Sequence, residues 1–280
     1  VNELNSNTCC FSDIEETSPD GDHSCALSDG SVYCWGLDTA GQIGHGHLSC
    51  IGNGYCVNPH GPSVLNRNIV TFTTGLRHTC AIADDSTAWC WGENDFGQLG
   101  VGDNDDRNAP TQVLLPAGTT PISINAGGHT TCVILNNGTG LCWGKSDYGH
   151  LGDGTYNNRN EPTLISILPS NRSLVAMDLG AGHACGILDD GSAHCWGNGT
   201  FSSGESGGRL GDGSNESSRF PRSVSLPSGR NAISIDVGVD HTCAILDDSS
   251  AVCWGLNEEG QLGDGSTSNS TTPVNVSVPL

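Results

Sequence analysis

Gly238-Val-Asp-His-Thr-Cys-Ala-Ile-Leu-Asp-Asp-Ser-Ser-Ala-Val-Cys-Trp-Gly-Leu-Asn-Glu-Glu-Gly-Gln-Leu-Gly-Asp-Gly265 is the stretch whose reading decides the fold. Its pattern, G-x-x-H-x-C-x-I-L followed by C-W-G, recurs five times in 280 residues. The Cys-Trp-Gly tryptophans are Trp35, Trp91, Trp143, Trp196 and Trp254, spaced by 56, 52, 53 and 58 residues. A Gly-Gln-Leu-Gly-like turn follows each and ends at Gly44, Gly100, Gly152, Gly211 and Gly263; six extra residues precede the fourth. Self-similarity at this period is the mark of a stacked or radial array.

Inside one repeat the apolar period is two, the signature of strands. Ala232–Val237 and Val274–Val278 alternate cleanly, and each repeat holds four such runs between Gly, Asp, Asn or Pro punctuation. In the third copy they begin near Thr111, Ile122, Thr131 and Gly140. No stretch keeps a helical period for three turns. The fold expected is all-β, a β-propeller of four-stranded antiparallel blades. It forms a single domain over 1–280, with units at roughly 8–67, 68–114, 115–167, 168–226 and 227–280. Five blades are expected to close when the C-terminal strand at 274–280 pairs beside a strand starting near Phe11, which removes two exposed edges.

Cysteine spacing agrees with hairpins. Cys80–Cys90, Cys132–Cys142, Cys185–Cys195 and Cys243–Cys253 are each ten apart, which sets them opposite one another across a three-residue turn. Cys25–Cys34 is nine apart and centres a two-residue turn on Asp29-Gly30. Five local disulfides are expected, each worth about 2–3 kcal/mol in the chain-entropy model. Cys9, Cys10, Cys50 and Cys56 are expected to pair among themselves, either between Cys9/Cys10 and the 50–56 loop or as a Cys50–Cys56 bridge.

The 238–265 run resembles the repeat of the regulator of chromosome condensation family, which in turn resembles a secreted propeller inhibitor of β-lactamases. The likeness covers nearly the whole chain and implies the propeller fold. It implies little about activity, since one fold hosts many functions. Family members bound to chromatin resemble seven-bladed rings with basic segments. This chain has five copies, 10 Lys+Arg against 31 Asp+Glu and a net charge of −21. Such a surface repels phosphate backbones and anionic lipid, so no nucleic-acid partner is expected. Nor is membrane insertion, because no apolar run reaches the ~18 residues of a span.

Fourteen cysteines and six Asn-x-Ser/Thr sequons, at Asn137, Asn171, Asn198, Asn215, Asn269 and Asn275, point to an extracellular protein carrying N-linked glycans. The absence of a starting Met fits a removed secretion signal.

Catalytic patterns meet the wrong context. Gly204-Glu-Ser-Gly-Gly208 matches G-x-S-x-G around Ser206, but a nucleophile elbow needs an entering strand and a leaving helix. Gly138–Ser146 misses the phosphate-loop pattern at Thr139. Repeated histidines (His23, His78, His129, His183, His241) read as structural hydrogen-bond donors. His45, His47, Cys50 and Cys56 could hold zinc only if the thiols stayed reduced. Asp153, Asp212 and Asp264 sit in Gly-Asp-Gly turns without the dense acids of a calcium loop. No cofactor and no enzymatic activity are expected. Five residues between Trp-Gly and the following turn, Asp38, Phe96, Tyr148, Phe201 and Glu259, are expected to share one face and bind protein. The function expected is an extracellular structural or protein-binding module, able to self-assemble into a filament or matrix; the alternative is a soluble inhibitor or receptor for one partner.

Overall fold

The computed structural model describes residues 14, 16–18, 21–46, 54–60, 67–166, 168–169, 172–200 and 207–277. Their twenty strands make five separate antiparallel sheets, each of four strands consecutive in the chain, and they include no helix. The first sheet is β1 (Glu16–Ser18), β2 (His23–Ser28), β3 (Ser31–Leu37) and β4 (Tyr55–His60). The second is β5 (Ile69–Thr74), β6 (His78–Ala83), β7 (Ala88–Gly92) and β8 (Arg107–Gln112). The third is β9 (Pro121–Gly127), β10 (Thr130–Leu135), β11 (Gly140–Gly144) and β12 (Arg159–Leu164). The fourth is β13 (Leu174–Leu179), β14 (His183–Leu188), β15 (Ala193–Gly197) and β16 (Ser218–Ser223). The fifth is β17 (Ala232–Val237), β18 (His241–Leu246), β19 (Ala251–Gly255) and β20 (Ser270–Asn275).

The first strand of every sheet faces one central channel of about 500 Å³, where Ser18, Thr74, Ala126, Asp178 and Asp236 all contribute to the wall. Burial follows from that placement. First strands alternate buried and exposed, while β6, β10 and β14 are buried at every position because sheets cover both their faces. Third strands end in Cys-Trp-Gly, or one residue beyond it in β3, and the ladder slips there by a β-bulge. Glycine is required at this step: Gly92 has φ 106°, and a Cβ there would lie 2.5 Å from the Arg77 carbonyl oxygen.

The hairpins between second and third strands explain the cysteine spacing. Asp29 and Gly30 both take positive φ, 49° and 67°, as a two-residue type I′ turn demands. In the second and fifth sheets a three-residue loop places Ser86 and Ser249 in the left-handed region. Either geometry sets the paired cysteines directly opposite, and all five bridges, from Cys25–Cys34 to Cys243–Cys253, have Cα atoms 4.1 Å apart. Cys56 is also disulfide-bonded. Cys9, Cys10 and Cys50 lie outside the described residues.

Strand phase departs from the sequence reading in one respect. The run near Thr111 is the outermost strand of the second sheet, with Thr111 opposite Cys90, and does not open the third. The C-terminal run repeats this. Val274 and Asn275 pair with Cys253 and Val252 of their own sheet, so the expected closure through a 274–280 strand is corrected. Phe11 and residues 278–280 lie outside the described residues. Each sheet packs on the next, β2 on β5, β6 on β9, β10 on β13 and β14 on β17; among the described residues nothing comparable joins the fifth sheet to the first.

Candidate protein-binding face

The turn after each third strand is rigid for reasons visible in its hydrogen bonds. Asp38, Asn94 and Asn257, three residues after the tryptophan, accept the backbone N–H of Ile43, Leu99 and Leu262 at 3.0, 3.0 and 2.9 Å. The glutamines Gln42, Gln98 and Gln261 accept the N–H of the residue two places earlier at 2.9–3.0 Å. At the position of that donor, two before the glutamine place, Phe96 is half-buried and Tyr148 and Glu259 are exposed, while Ala40 in the first turn is buried. Asp38 is therefore removed from the expected face. It is 3 % exposed and spent inside its turn. Phe201 lies outside the described residues.

Around Phe96 and Tyr148 the structure gathers groups the sequence reading passed over. Lys145, the only lysine of the chain, holds Nζ 4.9 Å from the Phe96 ring centre. His129 meets the same ring edge-on at 5.0 Å, and its Nδ1 lies 2.8 Å from the Glu93 carboxylate. Tyr148, 49 % exposed, tilts over His150 at 5.9 Å. A cavity of about 200 Å³ opens beside it, bounded by His129, Lys145, His150, Asn198, Arg209 and Val239. Arg209 is buried and ion-paired with Asp240, and burial lowers its pKa to about 10, so it stays charged at neutral pH. Burial also lowers His150 to about 4, and it is neutral there. Desolvation lowers His129 as well, against the opposing pull of Glu93.

Two shifts in the repeat create this cluster. His129 is one residue early: Thr130 takes the position of His78 and His183, pairing with Gly144 as they pair with Gly92 and Gly197. Its ring is thereby freed from the sheet interior for the outer face. His150 and Arg209 stand where the other three copies have glutamine. A copy-by-copy alignment of the Gly-x-Leu-Gly turn contains that signal.

The remaining candidates are turn chemistry. Asp153, Asp212 and Asp264 accept hydrogen bonds from Thr155, Ser214 and Ser266 two residues on, as Asx turns do. Asp38, His45 and Cys56 bring one ligand atom each within 4.8 Å of one another, but the Cys56 sulfur is in a disulfide and offers no thiolate. Ser206, His47 and Asn171 lie outside the described residues. Of the sequons, Asn137, Asn215, Asn269 and Asn275 are exposed. Asn198 is corrected: it is 8 % exposed, and its Oδ1 accepts from Thr200 and Ser217, which leaves no room for a glycan.

Between sheets a second arrangement recurs. The indole Nε1–H of Trp91, Trp143, Trp196 and Trp254 donates to the carbonyl of Gln42, Gln98, His150 and Arg209 in the preceding sheet, at 2.9–3.0 Å. Thr79 and Thr131 give their hydroxyl protons to the same Gln42 and Gln98 carbonyls. Each of these hydroxyls therefore accepts from the Nε2–H of His23 or His78, 2.8 Å away. His183 and Thr242 make the same 2.8 Å contact. Trp, Thr, His and a turn carbonyl thus stitch neighbouring blades, except between the third and fourth sheets, where Thr130 and Ala184 replace His and Thr and the indole bond remains.

Stitched four-stranded blades around a channel define a repeat propeller, and the comparisons say which kind. The model of the RCC1-like domain matches residues 13–280, and the chain belongs to that family. It is 31 % identical to the human E3 ubiquitin-protein ligase HERC2 over 251 residues, which are 88 % of this chain and 5 % of that protein. Human WBSCR16 has a similar structure, with a TM-score of 0.82 at 22 % identity over 95 % of this chain and 67 % of that one. The ectodomain of the Arabidopsis thaliana receptor kinase ACR4 is similar at a TM-score of 0.53 and 21 % identity, again over 95 % and 67 %. The chain thus spans only a small part of HERC2, and two thirds of each of those two structures.

Proposed function

We propose that this chain is a non-enzymatic, extracellular protein-binding module with a structural role, engaging its partner through the Phe96–Tyr148 face. The observation that carries this reading is the half-exposed Tyr148 ring on a rigid turn, flanked by Phe96, Lys145 and a cavity of about 200 Å³. Aromatic side chains with a cation beside a pocket have the composition of binding hot spots, and a rigid turn limits the entropy lost on binding. Five disulfides suit an oxidising compartment, and the fold already serves as a receptor ectodomain in ACR4. Glycans at Asn137, Asn215, Asn269 and Asn275, no cofactor and no nucleic-acid partner complete the reading. The cavity beside Tyr148 also favours a second one, a soluble receptor or inhibitor that takes a single side chain of one partner.

The test is binding of the purified chain to the extracellular material of its source cells, compared with Tyr148→Ala and Phe96→Ala. Each variant should lose tenfold or more, the ~1.4 kcal/mol or more of a hot spot, at unchanged melting temperature. Unchanged binding by both variants rejects this face.

A further inference from the structure

Three departures from the repeat converge on the cavity beside Tyr148. Two are His150 and Arg209, each in the place of a glutamine. The third is Gly182, which stands where the other copies carry Asp22, Arg77, His129 and Asp240 just before the first residue of the hairpin. Gly182 is what leaves the space: a Cβ on it would lie 3.0 Å from Arg209 Nη1 and 3.8 Å from His150 Nε2. The cavity of about 200 Å³ lies there, with Tyr148 and Val239, 49 % and 59 % exposed, at its apolar rim.

Two buried polar groups on its wall are left unpaired among the described residues. Arg209, 3 % exposed, gives only Nη2 to Asp240, and its Nε has no partner. His150, 8 % exposed, is hydrogen-bonded to the Lys145 carbonyl through one ring nitrogen, while Nε2 has no partner. The proton of the neutral ring is thus assigned to Nδ1, and Nε2 presents a lone pair. A donor and an acceptor therefore flank the point that a Gly182 Cβ would occupy. Buried polar groups without partners are uncommon, and this pair is matched by a head group that carries an acceptor and a donor together. Charge argues against an anion. Arg209 already has Asp240, and Lys145 Nζ lies 3.1 Å from Asp147. An added carboxylate would meet Asp147 and the His150 lone pair uncompensated, in a chain of net charge −21.

We infer that the cavity takes a primary amide, the Asn or Gln side chain of the protein partner; that assignment to a partner rests on the reading of the Phe96–Tyr148 face given above. The amide oxygen accepts from the Arg209 guanidinium, its NH2 donates to His150 Nε2, and its methylene stem lies against Tyr148 and Val239. A hydroxyl carries donor and acceptor on one atom, and a trans peptide points them apart; the side-chain amide holds them side by side. The isosteric carboxylate has no proton for His150, and a site built to pair a proton rejects the analogue that lacks it.

Nuclear magnetic resonance titration of the nitrogen-labelled chain at neutral pH tests this, with butyramide and butyrate, the amide and the acid of one carbon skeleton, as probes. Butyramide should shift the Arg209 Nε–H and Gly182 backbone N–H resonances saturably, and bind at least tenfold more tightly than butyrate. Gly182→Ala, which fills the space, and His150→Phe, which keeps a ring but removes the acceptor, should each weaken butyramide tenfold or more. The inference is overturned if butyramide gives no saturable shift or if butyrate binds equally well. Unchanged butyramide binding in either variant also overturns it. Because butyramide is read without the partner, the two readings fail separately. Absent butyramide binding rejects the amide alone, and unchanged partner binding by Tyr148→Ala and Phe96→Ala rejects the face alone.

Discussion

Ile187 and Ile245 occupy the same position of consecutive sheets, on strands of almost the same sequence, His-Ala-Cys-Gly-Ile-Leu and His-Thr-Cys-Ala-Ile-Leu. One is sealed between sheets and the other is half in water. Among the described residues, the fourth sheet has neighbours on both sides and the fifth on one. The repeat therefore specifies a blade with two adhesive faces, and whether those faces stabilise anything depends on what lies beside them. An isoleucine gains about 1.5–3 kcal/mol only when apolar surface is removed from water. A hydrogen bond of the stitch likewise contributes only when donor and acceptor are both present, because an unpaired polar group left at a buried junction would cost about 1–3 kcal/mol.

That contrast breaks most readily at the tryptophans. Trp143→Ala, inside the second junction, should cost about 3–5 kcal/mol, since it removes a fully buried ring and its bond to the Gln98 carbonyl. Trp35→Ala, where the ring is only half-buried, should cost less than about 2 kcal/mol, both losses being read by urea titration. Equal losses would mean that the first sheet is covered as well as any internal one.

A middle-sized effect comes from the stitching histidines. Burial lowers His78 to about 3 and His23 to about 4, and it places His183 well below the usual value. All three are neutral in the folded chain and become protonated in the unfolded chain below pH 6.5. Their contribution is thus fully present above pH 6.5 and is lost as pH falls towards the folded values. For His78 the loss reaches about 2 kcal/mol at pH 5. His78→Gln should flatten the stability curve between pH 6.5 and 5 by close to one proton, measured by chemical unfolding at each pH. An unchanged slope would show that His78 does not titrate with unfolding.

The smallest effect sharpens the comparison within the hairpins. Ser249 and Ser86 hold φ of 68° and 65°, where the third and fourth sheets use Gly138 and Gly191. Ser249→Gly should raise stability by about 0.5–1 kcal/mol, because the left-handed strain outweighs the added freedom of the unfolded chain. A loss on thermal unfolding would mean that the serine has a compensating contact.

Much of the fold was legible from local chemistry. The period-two runs identify strands, Asp29-Gly30 identifies its turn, and nine or ten residues between cysteines identify opposed positions. Strand phase was not legible, because a cyclic repeat reads the same from any starting strand. Only the pairing of Arg107–Gln112 with Ala88–Gly92 shows which sheet owns the outermost strand. The candidate face was half legible. Phe96 and Tyr148 stand out as aromatics in a turn, but Asp38 sits two positions from their equivalent and points inward. His129 stands three residues before its cysteine where the other four repeated histidines stand two before theirs. In a strand one residue is a change of face.

What the sequence determined by itself is the blade: its four strands, its turns, its opposed cysteines and the paired adhesive groups on its two faces. These follow from alternation, φ preferences and spacing, which act over a few residues. Which faces are buried, where Lys145, His150 and Arg209 converge, and which sheet owns each outermost strand were decided only by the tertiary structure. Burial and ion pairing depend on groups more than fifty residues apart being brought within a few ångströms, and no local pattern records that.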